Sequence, residues 1–390
     1  MRFSLRWALS LTALQILFML ALAPGTSFGA RYLAFNNWDS FHYLHIAEGG
    51  YKIPTGTITS DDIHEGRANV VFFPGYPMAA RGVSQLTGLS VPLSLLIVAQ
   101  LCCFIFWIYF FLLMKQFGLS EETARNRALC IALHPAAFYL VAGYTETLFL
   151  VGMMGFLYWS NRWLKEGGVA GVIAAAHGFA MSITRIVSFA PASYPSFVEL
   201  FSHGPSALKK AKFWKAVAIS LAGVSGAVVF FAYCQSRFGM WNLYFQLEET
   251  GWQNHRRWFA VINPLSYVPR FFFEHSVDSL NRTAVLVTGI QLVQTFPKKQ
   301  SWRKIFSAEL LPLWIVAFTL FYIALTGKAN ANMDSMLRYT LPPFILLLLI
   351  GAREGTDLLK RPRWIALAAV FSFALQIWCA YRFLRGHWVA

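Results

Sequence analysis

Charged residues are scarce in this chain of 390 residues. Only 13% of its residues are Asp, Glu, Lys or Arg, and 57% are hydrophobic, whereas about 25% of a typical soluble domain is charged. Several stretches of about 17–24 residues carry almost no charge, which is the length that a helix needs to cross a hydrocarbon core of about 30 Å. This composition excludes a soluble globular protein. It predicts an all-α polytopic membrane protein in which residues 1–390 form a single domain.

Cysteines are also few, and their positions exclude two kinds of site. The chain has five cysteines, and all of them fall inside predicted spans: Cys102, Cys103, Cys130, Cys234 and Cys379. An odd number of cysteines within spans provides neither a disulfide framework nor the spacing of a metal site. We therefore interpret these cysteines as packing residues.

Acidic residues are outnumbered by basic ones, which gives the chain a formal net charge of +15. The basic residues are concentrated in three clusters, at 209–215, 298–304 and 353–363. Each cluster lies between apolar stretches, as the positive-inside rule predicts for cytoplasmic loops. The distribution therefore indicates that the basic clusters set the topology and lie beside anionic lipid on the cytoplasmic side. It gives no support to binding of nucleic acid.

The apolar stretches and basic clusters together predict eleven spans, with the N-terminus inside and the C-terminus outside. The first 30 residues resemble a signal peptide, but the apolar run at 7–23 is long for one, so we expect an uncleaved first span. This topology places 24–90 and 237–281 outside the membrane. The predicted spans are 7–23, 91–114, 125–142, 146–163, 167–184, 186–202, 215–236, 282–297, 309–326, 336–352 and 364–384.

Residues 38–51 read WDSFHYLHIAEGGY and place four ionisable groups beside the first span. The stretch lacks Gly and Pro until Gly49 and Gly50, which predicts a short interfacial helix that ends there. Asp39 and His42 share one helix face, as do His45 and Glu48. Asp39 is either a helix cap or a general base. The acid–histidine pairs also suggest a metal site, but two ligands on one helix do not make one.

Four further blocks carry candidate site residues. The FFPGYP stretch at 72–77 contains Phe73 and Tyr76, and it is either a stiff turn or an aromatic wall against a lipid tail. Glu146, Arg185 and Arg338 lie at predicted outer ends of spans, where ionisable groups are costly and tend to be functional or paired. A purely structural ion pair between Glu146 and Arg185 is the alternative.

Four of these blocks resemble the PIG-V mannosyltransferase family, a member of the GT-C glycosyltransferase superfamily whose eukaryotic members add the second mannose of the GPI anchor. They are WDSFHYLHIAEGGY, VFFPGYP, HPAAFYLVAGYTETLF and MLRYTLPPF. The resemblance is close over about the first 190 residues and looser beyond them. It implies a prokaryotic relative in the inner membrane, with a GT-C-type bundle of about eleven spans. It also implies a long first extracytoplasmic loop with juxtamembrane helices.

The resemblance also implies a reaction and its residues. The donor is a polyprenyl-phosphate sugar, and the acceptor is a lipid-linked or glycolipid hydroxyl on the extracytoplasmic face. Asp39 is expected to be the general base, with His42 as its neighbour. We expect the donor phosphate to contact Arg338, Arg185 and Tyr339, and the substrates to contact Glu146, Glu65, Phe73, Tyr76 and Trp252. A lipid phosphate leaves without protonation, so arginines suffice and no metal ion or other cofactor is required.

Two other classes of protein compete with an inverting glycosyltransferase. A transporter or flippase of a lipid or small solute holds its substrate near the midplane between repeated halves, but repeats are not evident and the middle of most spans lacks polar residues. A membrane scaffold has no reason to gather acids and arginines on one face. The sequence therefore favours an enzyme that acts at the outer surface on substrates held in lipid.

Overall fold

The computed structural model describes residues 2–252, 276–296, 310–328, 335–354 and 362–389. Within these residues all regular structure is helical. The first helices are α1 (Arg2–Leu22), α2 (Phe28–Leu33), α3 (Asp39–Gly49), α4 (Ser60–His64), α5 (Gly75–Thr87), α6 (Val91–Gln116), α7 (Glu121–Ala132), α8 (Glu146–Glu166) and α9 (Ala170–Ser182). They are followed by α10 (Phe189–Ala192), α11 (Tyr194–His203), α12 (Ala211–Phe238), α13 (Leu243–Trp252), α14 (Ser276–Thr295), α15 (Leu310–Lys328), α16 (Met336–Tyr339), α17 (Leu341–Glu354) and α18 (Pro362–Leu384).

Five helical segments of the described chain are long and apolar enough to cross a membrane. They are 3–22, 91–116, 211–238, 336–353 and 367–384, and two shorter apolar helices cover 170–182 and 310–326. The chain is accordingly an integral membrane protein, while the number of eleven spans stays a prediction. The whole basic cluster at 298–304, and parts of the predicted outer segment 237–281 and of the basic cluster at 353–363, lie outside the described residues.

Three of the predicted spans are not continuous helices, and one of them, 336–352, is divided at Thr340. In the span predicted at 125–142, α7 ends at Ala132 and the chain continues as a short 3₁₀ turn, Ala137–Leu140. Pro135 lies at this break, and a proline disfavours helical backbone in the residue before it. The span predicted at 186–202 divides into a 3₁₀ turn, α10 and α11, since its two prolines remove backbone donors.

The predicted helix at the start of the first outer segment is confirmed. Helix α3 runs from Asp39 to Gly49, and Gly50 ends it with a left-handed φ of 73° and an N–H donated to the Ile46 carbonyl. Helix α3 packs on α5 through Tyr43, whose ring meets those of Phe72 and Tyr76 edge-on at 5.2 Å. This packing fixes the face of α3 that lies away from solvent.

Small residues allow α9 to pack closely between α8 and α12. A Cβ atom on Gly178 would lie 2.5 Å from the Cα atom of Gly223 in α12, and one on Gly152 would lie 2.7 Å from Met181. Such contacts let helix backbones approach within a membrane. They fix the end of α9, three residues before Arg185.

The FFPGYP turn is joined to the same end of α9. The Gly75 N–H donates to the Ile183 carbonyl at 2.8 Å, and a Cβ atom on Gly75 would lie 2.7 Å from the Thr184 hydroxyl. Only glycine fits this contact without a shift of the backbone. The turn therefore places Phe72 and Phe73 close to the segment that carries Arg185.

Candidate active site

The first and last candidate blocks of the sequence meet in an ion pair. The Arg338 Nη1–H donates to Oδ2 of Asp39 at 2.6 Å, across 299 residues of chain. The Arg338 side chain is 4% exposed and that of Asp39 is 16% exposed. Short charge-assisted bonds of this kind are among the stronger hydrogen bonds in proteins.

The carboxylate of Glu146 forms ion pairs with both Arg185 and Arg338. Its Oε1 atom lies 3.3 Å from Arg338 Nε and 3.2 Å from Arg185 Nη2, and its side chain is 1% exposed. The predicted Glu146–Arg185 pair is therefore present, but it is part of a larger group. We call Asp39, Glu146, Arg185 and Arg338 the charged tetrad. Its two carboxylates and two guanidinium groups balance in formal charge.

Aromatic rings surround the buried guanidinium of Arg338. Its Cζ atom lies 5.5 Å from the ring centre of Tyr139 and 5.1 Å from those of Tyr144 and Tyr339. A cation at this distance from a ring is attracted by the ring's negative face. Arg338 also donates to the hydroxyl oxygens of Ser335 and Tyr339, both at 3.4 Å.

A buried asparagine holds the short helix that carries Arg338. The Leu337 N–H donates to Oδ1 of Asn281 at 2.8 Å, and Asn281 is fully buried in α14. Because the first N–H groups of a helix have no partner within it, Asn281 supplies one from another helix. Thr340 then separates α16 from α17, ahead of the two prolines.

The backbone of Asp39 is also held in place. Its N–H donates to the Tyr144 hydroxyl at 3.3 Å, and the Ser40 hydroxyl donates to the Gly143 carbonyl at 2.8 Å. Helix α3 has no side-chain cap, so the Asp39 carboxylate contacts Arg338 rather than capping the helix. Trp38, directly before it, has a φ of 55°, a conformation that is rare for residues other than glycine.

Three members of the tetrad line a cavity of about 670 Å³. Asp39, Arg185, Arg338 and Tyr339 belong to its lining, together with Thr145. The rest of the lining is largely apolar and includes Phe72, Phe73, Phe149, Val187, Leu320 and Ile323. Ligand sites commonly combine apolar walls with a few convergent polar groups.

Five of the predicted site residues lie outside this lining. Glu146 contacts the arginines but does not line the cavity. Tyr76 is buried and donates its hydroxyl to the Leu95 carbonyl at 2.7 Å. Glu65 is exposed and pairs with Arg67. The Trp252 ring meets Phe72 edge-on at 5.9 Å, and His42 is the fifth.

His42 is packed against an aromatic ring. It is 8% exposed, and its ring stacks on Phe72 at 4.6 Å. Burial lowers the pKa of His42 to about 4, although the nearby charge of Asp39 acts to raise it. The imidazole is therefore neutral at pH 7. Its Nδ1 atom has no hydrogen-bond partner among the described residues.

Sequence reasoning predicted Tyr339 but missed the other two tyrosines around Arg338 and two acids in the cavity lining. Tyr139 and Tyr144 stand in the same block as Glu146, so their proximity in sequence was a usable signal. Glu248 and Glu249, in α13, line the cavity, and the signal for them was a pair of acids in a predicted outer segment. Within the described residues no group of three or more His, Cys, Asp or Glu side chains is placed to hold a metal ion.

Comparisons with known proteins give partial sequence matches to mammalian proteins of one name. No family model matches the chain. Over 123 residues, 29% of this chain, it is 33% identical to mouse GPI alpha-1,6-mannosyltransferase 2 and covers 22% of that protein. The human protein of the same name is 31% identical over the same length. The match therefore spans about a fifth of the length of these curated relatives.

Two solved structures resemble the chain over nearly its whole length. The mycobacterial arabinofuranosyltransferase AftD gives a TM-score of 0.48 at 13% identity, covering 99% of this chain and 28% of that one. The Archaeoglobus fulgidus oligosaccharyltransferase gives a TM-score of 0.47 at 14% identity, covering 97% of this chain and 53% of that one. Both scores are below 0.5, so these likenesses do not establish the fold.

Proposed function

We propose that the chain is an integral-membrane glycosyltransferase that moves a hexose from a polyprenyl-phosphate sugar to a hydroxyl of a lipid-linked or other acceptor. The observation that carries this proposal is the meeting of Asp39, Arg185 and Arg338 in the lining of one largely apolar cavity. A carboxylate can accept the acceptor's proton, and guanidinium groups suit a phosphate. Apolar walls can accommodate a hydrocarbon tail.

The proposed reaction is a single displacement. The acceptor oxygen attacks the anomeric carbon of the sugar while the bond from that carbon to the phosphate oxygen breaks. The electron pair of that bond stays on the phosphate, which leaves as polyprenyl phosphate, and the acceptor proton passes to Asp39. Attack from the face opposite the phosphate inverts the configuration of the sugar.

The arginines stabilise the leaving group in this reaction. Negative charge grows on the phosphate as the bond breaks, and fixed positive groups facing it lower the barrier. Arg338 and Arg185 take this role, with Tyr339 beside them, so neither a proton donor nor a metal ion is required. We propose that Glu146 positions both guanidinium groups, because it contacts them without lining the cavity.

Of the remaining predicted substrate contacts, only some lie at the cavity. Phe73 lies in the cavity lining, where its ring suits the prenyl chain. Contacts of Glu65, Tyr76 and Trp252 with substrate stay predictions, as does the part of His42 in catalysis. In the cavity as described, none of these four side chains is part of the lining.

The sugar and the setting of the reaction are also proposals. Mannose is supported by the 123-residue match to enzymes named mannosyltransferases. We propose a GT-C-type bundle of about eleven spans that forms one domain, with the cavity on the extracytoplasmic face because 24–90 carries Asp39. In a bacterial cell this places the enzyme in the inner membrane.

Purified protein incubated with radiolabelled polyprenyl-phosphate sugars and native lipid extract tests the proposal. We expect label from the mannose donor, and less or none from the glucose donor, to appear in a new lipid-linked product. In proteoliposomes without acceptor, a flippase would instead move the labelled lipid between leaflets and form no product. Translocation without product would replace the proposed enzyme with a transporter.

A further inference from the structure

In the Asp39–Arg338 ion pair, the proposed base contacts a residue of the proposed phosphate site. We infer that the donor phosphate replaces Asp39 as the acceptor of the hydrogen bond from Arg338 Nη1–H. This exchange releases the Asp39 carboxylate, which can then turn toward the acceptor. Arg338 thus has a second role, because it restrains the base until an anion replaces it. This inference rests on the proposed function.

Arg338 is the fixed partner in such an exchange. Its guanidinium lies among three tyrosine rings and contacts Glu146 as well as Asp39. The backbone next to it is held by the hydrogen bond from Leu337 to Asn281. Because the contacts with the tyrosine rings, with Glu146 and through Leu337 do not involve Asp39, the guanidinium keeps its position when the Asp39 carboxylate turns away.

Asp39 is the partner that can move. Among the described residues, Arg338 is the one side chain with a hydrogen bond or ion pair to its carboxylate, and Asp39 lines the cavity. Its N–H is held separately by the Tyr144 hydroxyl. Rotation about the side-chain bonds is therefore enough to turn the carboxylate toward the cavity, while α3 stays in place.

Electrostatics couples the exchange to catalysis. A carboxylate oxygen that accepts a hydrogen bond from a guanidinium is less available to accept a proton. The tetrad has no net formal charge, and one phosphodiester changes the total to minus one. The added negative charge repels the Asp39 carboxylate and favours its release from Arg338. Donor binding would thereby free the base.

A purely structural ion pair makes a different prediction. If Asp39 only stabilises Arg338 and the phosphate binds away from this guanidinium, loss of Asp39 leaves a buried unpaired charge that weakens the fold, and affinity for the anion changes little. If Asp39 competes with the phosphate, its replacement by a neutral group of the same shape removes the competitor. The tetrad then carries a net positive charge that attracts the anion.

The test measures binding of undecaprenyl phosphate to detergent-solubilised wild type and to Asp39→Asn. We expect Asp39→Asn to bind it about tenfold more tightly, or about 1.4 kcal/mol, and Glu48→Gln, on the same helix, to match wild type. The uncharged alcohol undecaprenol should bind all three equally. If Asp39→Asn does not fold, Asp39→Ser takes its place, with the same expectation.

The outcomes separate this inference from the proposed function. If wild type binds undecaprenyl phosphate and the neutral Asp39 variants bind it equally or more weakly, the exchange is overturned. The proposed class of donor is then unaffected. Folded wild type and variants that all fail to bind the phosphate overturn both. An equal gain for undecaprenol would assign the effect to cavity shape and would also overturn the exchange.

Discussion

The guanidinium groups of Arg185 and Arg338 contact the same atom, Oε1 of Glu146, at 3.2 and 3.3 Å. Two like charges are thus held close together by one buried acid. The arrangement places two cationic groups at one cavity at no cost in net charge, since Asp39 balances the second. It also makes Glu146 the residue on which the geometry of both arginines depends.

Glu146→Gln should weaken the fold and disturb both arginines. Removing one partner of a buried ion pair typically costs about 3–5 kcal/mol, because the remaining charge is left uncompensated. We expect a clear fall in the thermal midpoint in detergent, against no change in Glu48→Gln, whose side chain is exposed in α3. A Glu146→Gln variant as stable as wild type would show that the tetrad does not depend on this acid.

Arg338→Lys should weaken use of the donor and leave affinity for the acceptor nearly unchanged. A lysine is a point charge and cannot reproduce the planar fork of a guanidinium, which grips phosphate in two directions. Initial rates against donor concentration, at a fixed acceptor concentration, measure the effect. Arg185→Lys is the matched variant, since Arg185 lines the same cavity.

Unchanged donor dependence in Arg338→Lys, with a loss in Arg185→Lys, would transfer the phosphate contact to Arg185. Losses in both variants are the expected result, because both side chains reach the cavity. The larger loss should fall on Arg338, which also contacts Asp39.

The sequence allowed most residues of the site to be predicted, but not which of them form ion pairs with each other. Glu146, Arg185 and Arg338 were singled out because an ionisable group at the end of a span is costly, and Asp39 was singled out from its stretch at 38–51. Asp39 and Arg338 are 299 residues apart, and nothing in local pattern shows which distant groups meet. Trp38 and Ser335 precede the helices of these two residues with left-handed φ values of 55° and 68°. Neither is a glycine, so neither conformation was predictable.

The errors in the helix predictions have a common physical cause. Hydropathy averaged over a window detects apolar composition. A single proline lowers this average only slightly but can interrupt a helix, as at Pro135 and Pro191. By contrast, the end of α3 was predictable because Gly49 and Gly50 act locally. The motif predicted a substrate contact for Tyr76 but gave no sign of the hydrogen bond from its hydroxyl to the Leu95 carbonyl. Composition alone cannot show which face a side chain occupies.

Single cysteines at Thr57 and Ser206 should be labelled from opposite faces of the membrane. Both positions are exposed; Thr57 lies in the segment predicted to be outside, and Ser206 lies beside the first basic cluster. Four native cysteines are buried and Cys130 is partly buried, so they are expected to contribute little background. Equal labelling of both sites by an impermeant maleimide on intact cells would reject the predicted topology.

His42 should make stability depend on pH. Its pKa is lowered by burial to about 4, against about 6.5 in an unfolded chain. Between these values the unfolded state binds more protons, so stability falls as the pH drops from about 6.5 towards 4, by up to about 3 kcal/mol. His42→Phe keeps a ring against Phe72 and removes the titration. Its thermal midpoint should therefore fall less over this range, and an unchanged pH profile would exclude His42 as the cause.

The central claim is that Asp39 accepts the proton of the acceptor hydroxyl. Asp39→Asn keeps the shape of the side chain and cannot accept a proton, so transfer should fall by about 100-fold or more. The direct measurement is the rate of label transfer from radiolabelled polyprenyl-phosphate mannose to lipid acceptor, in folded wild type, Asp39→Asn and Glu48→Gln. We predict loss in Asp39→Asn alone; near-normal transfer by a folded Asp39→Asn protein would contradict the account.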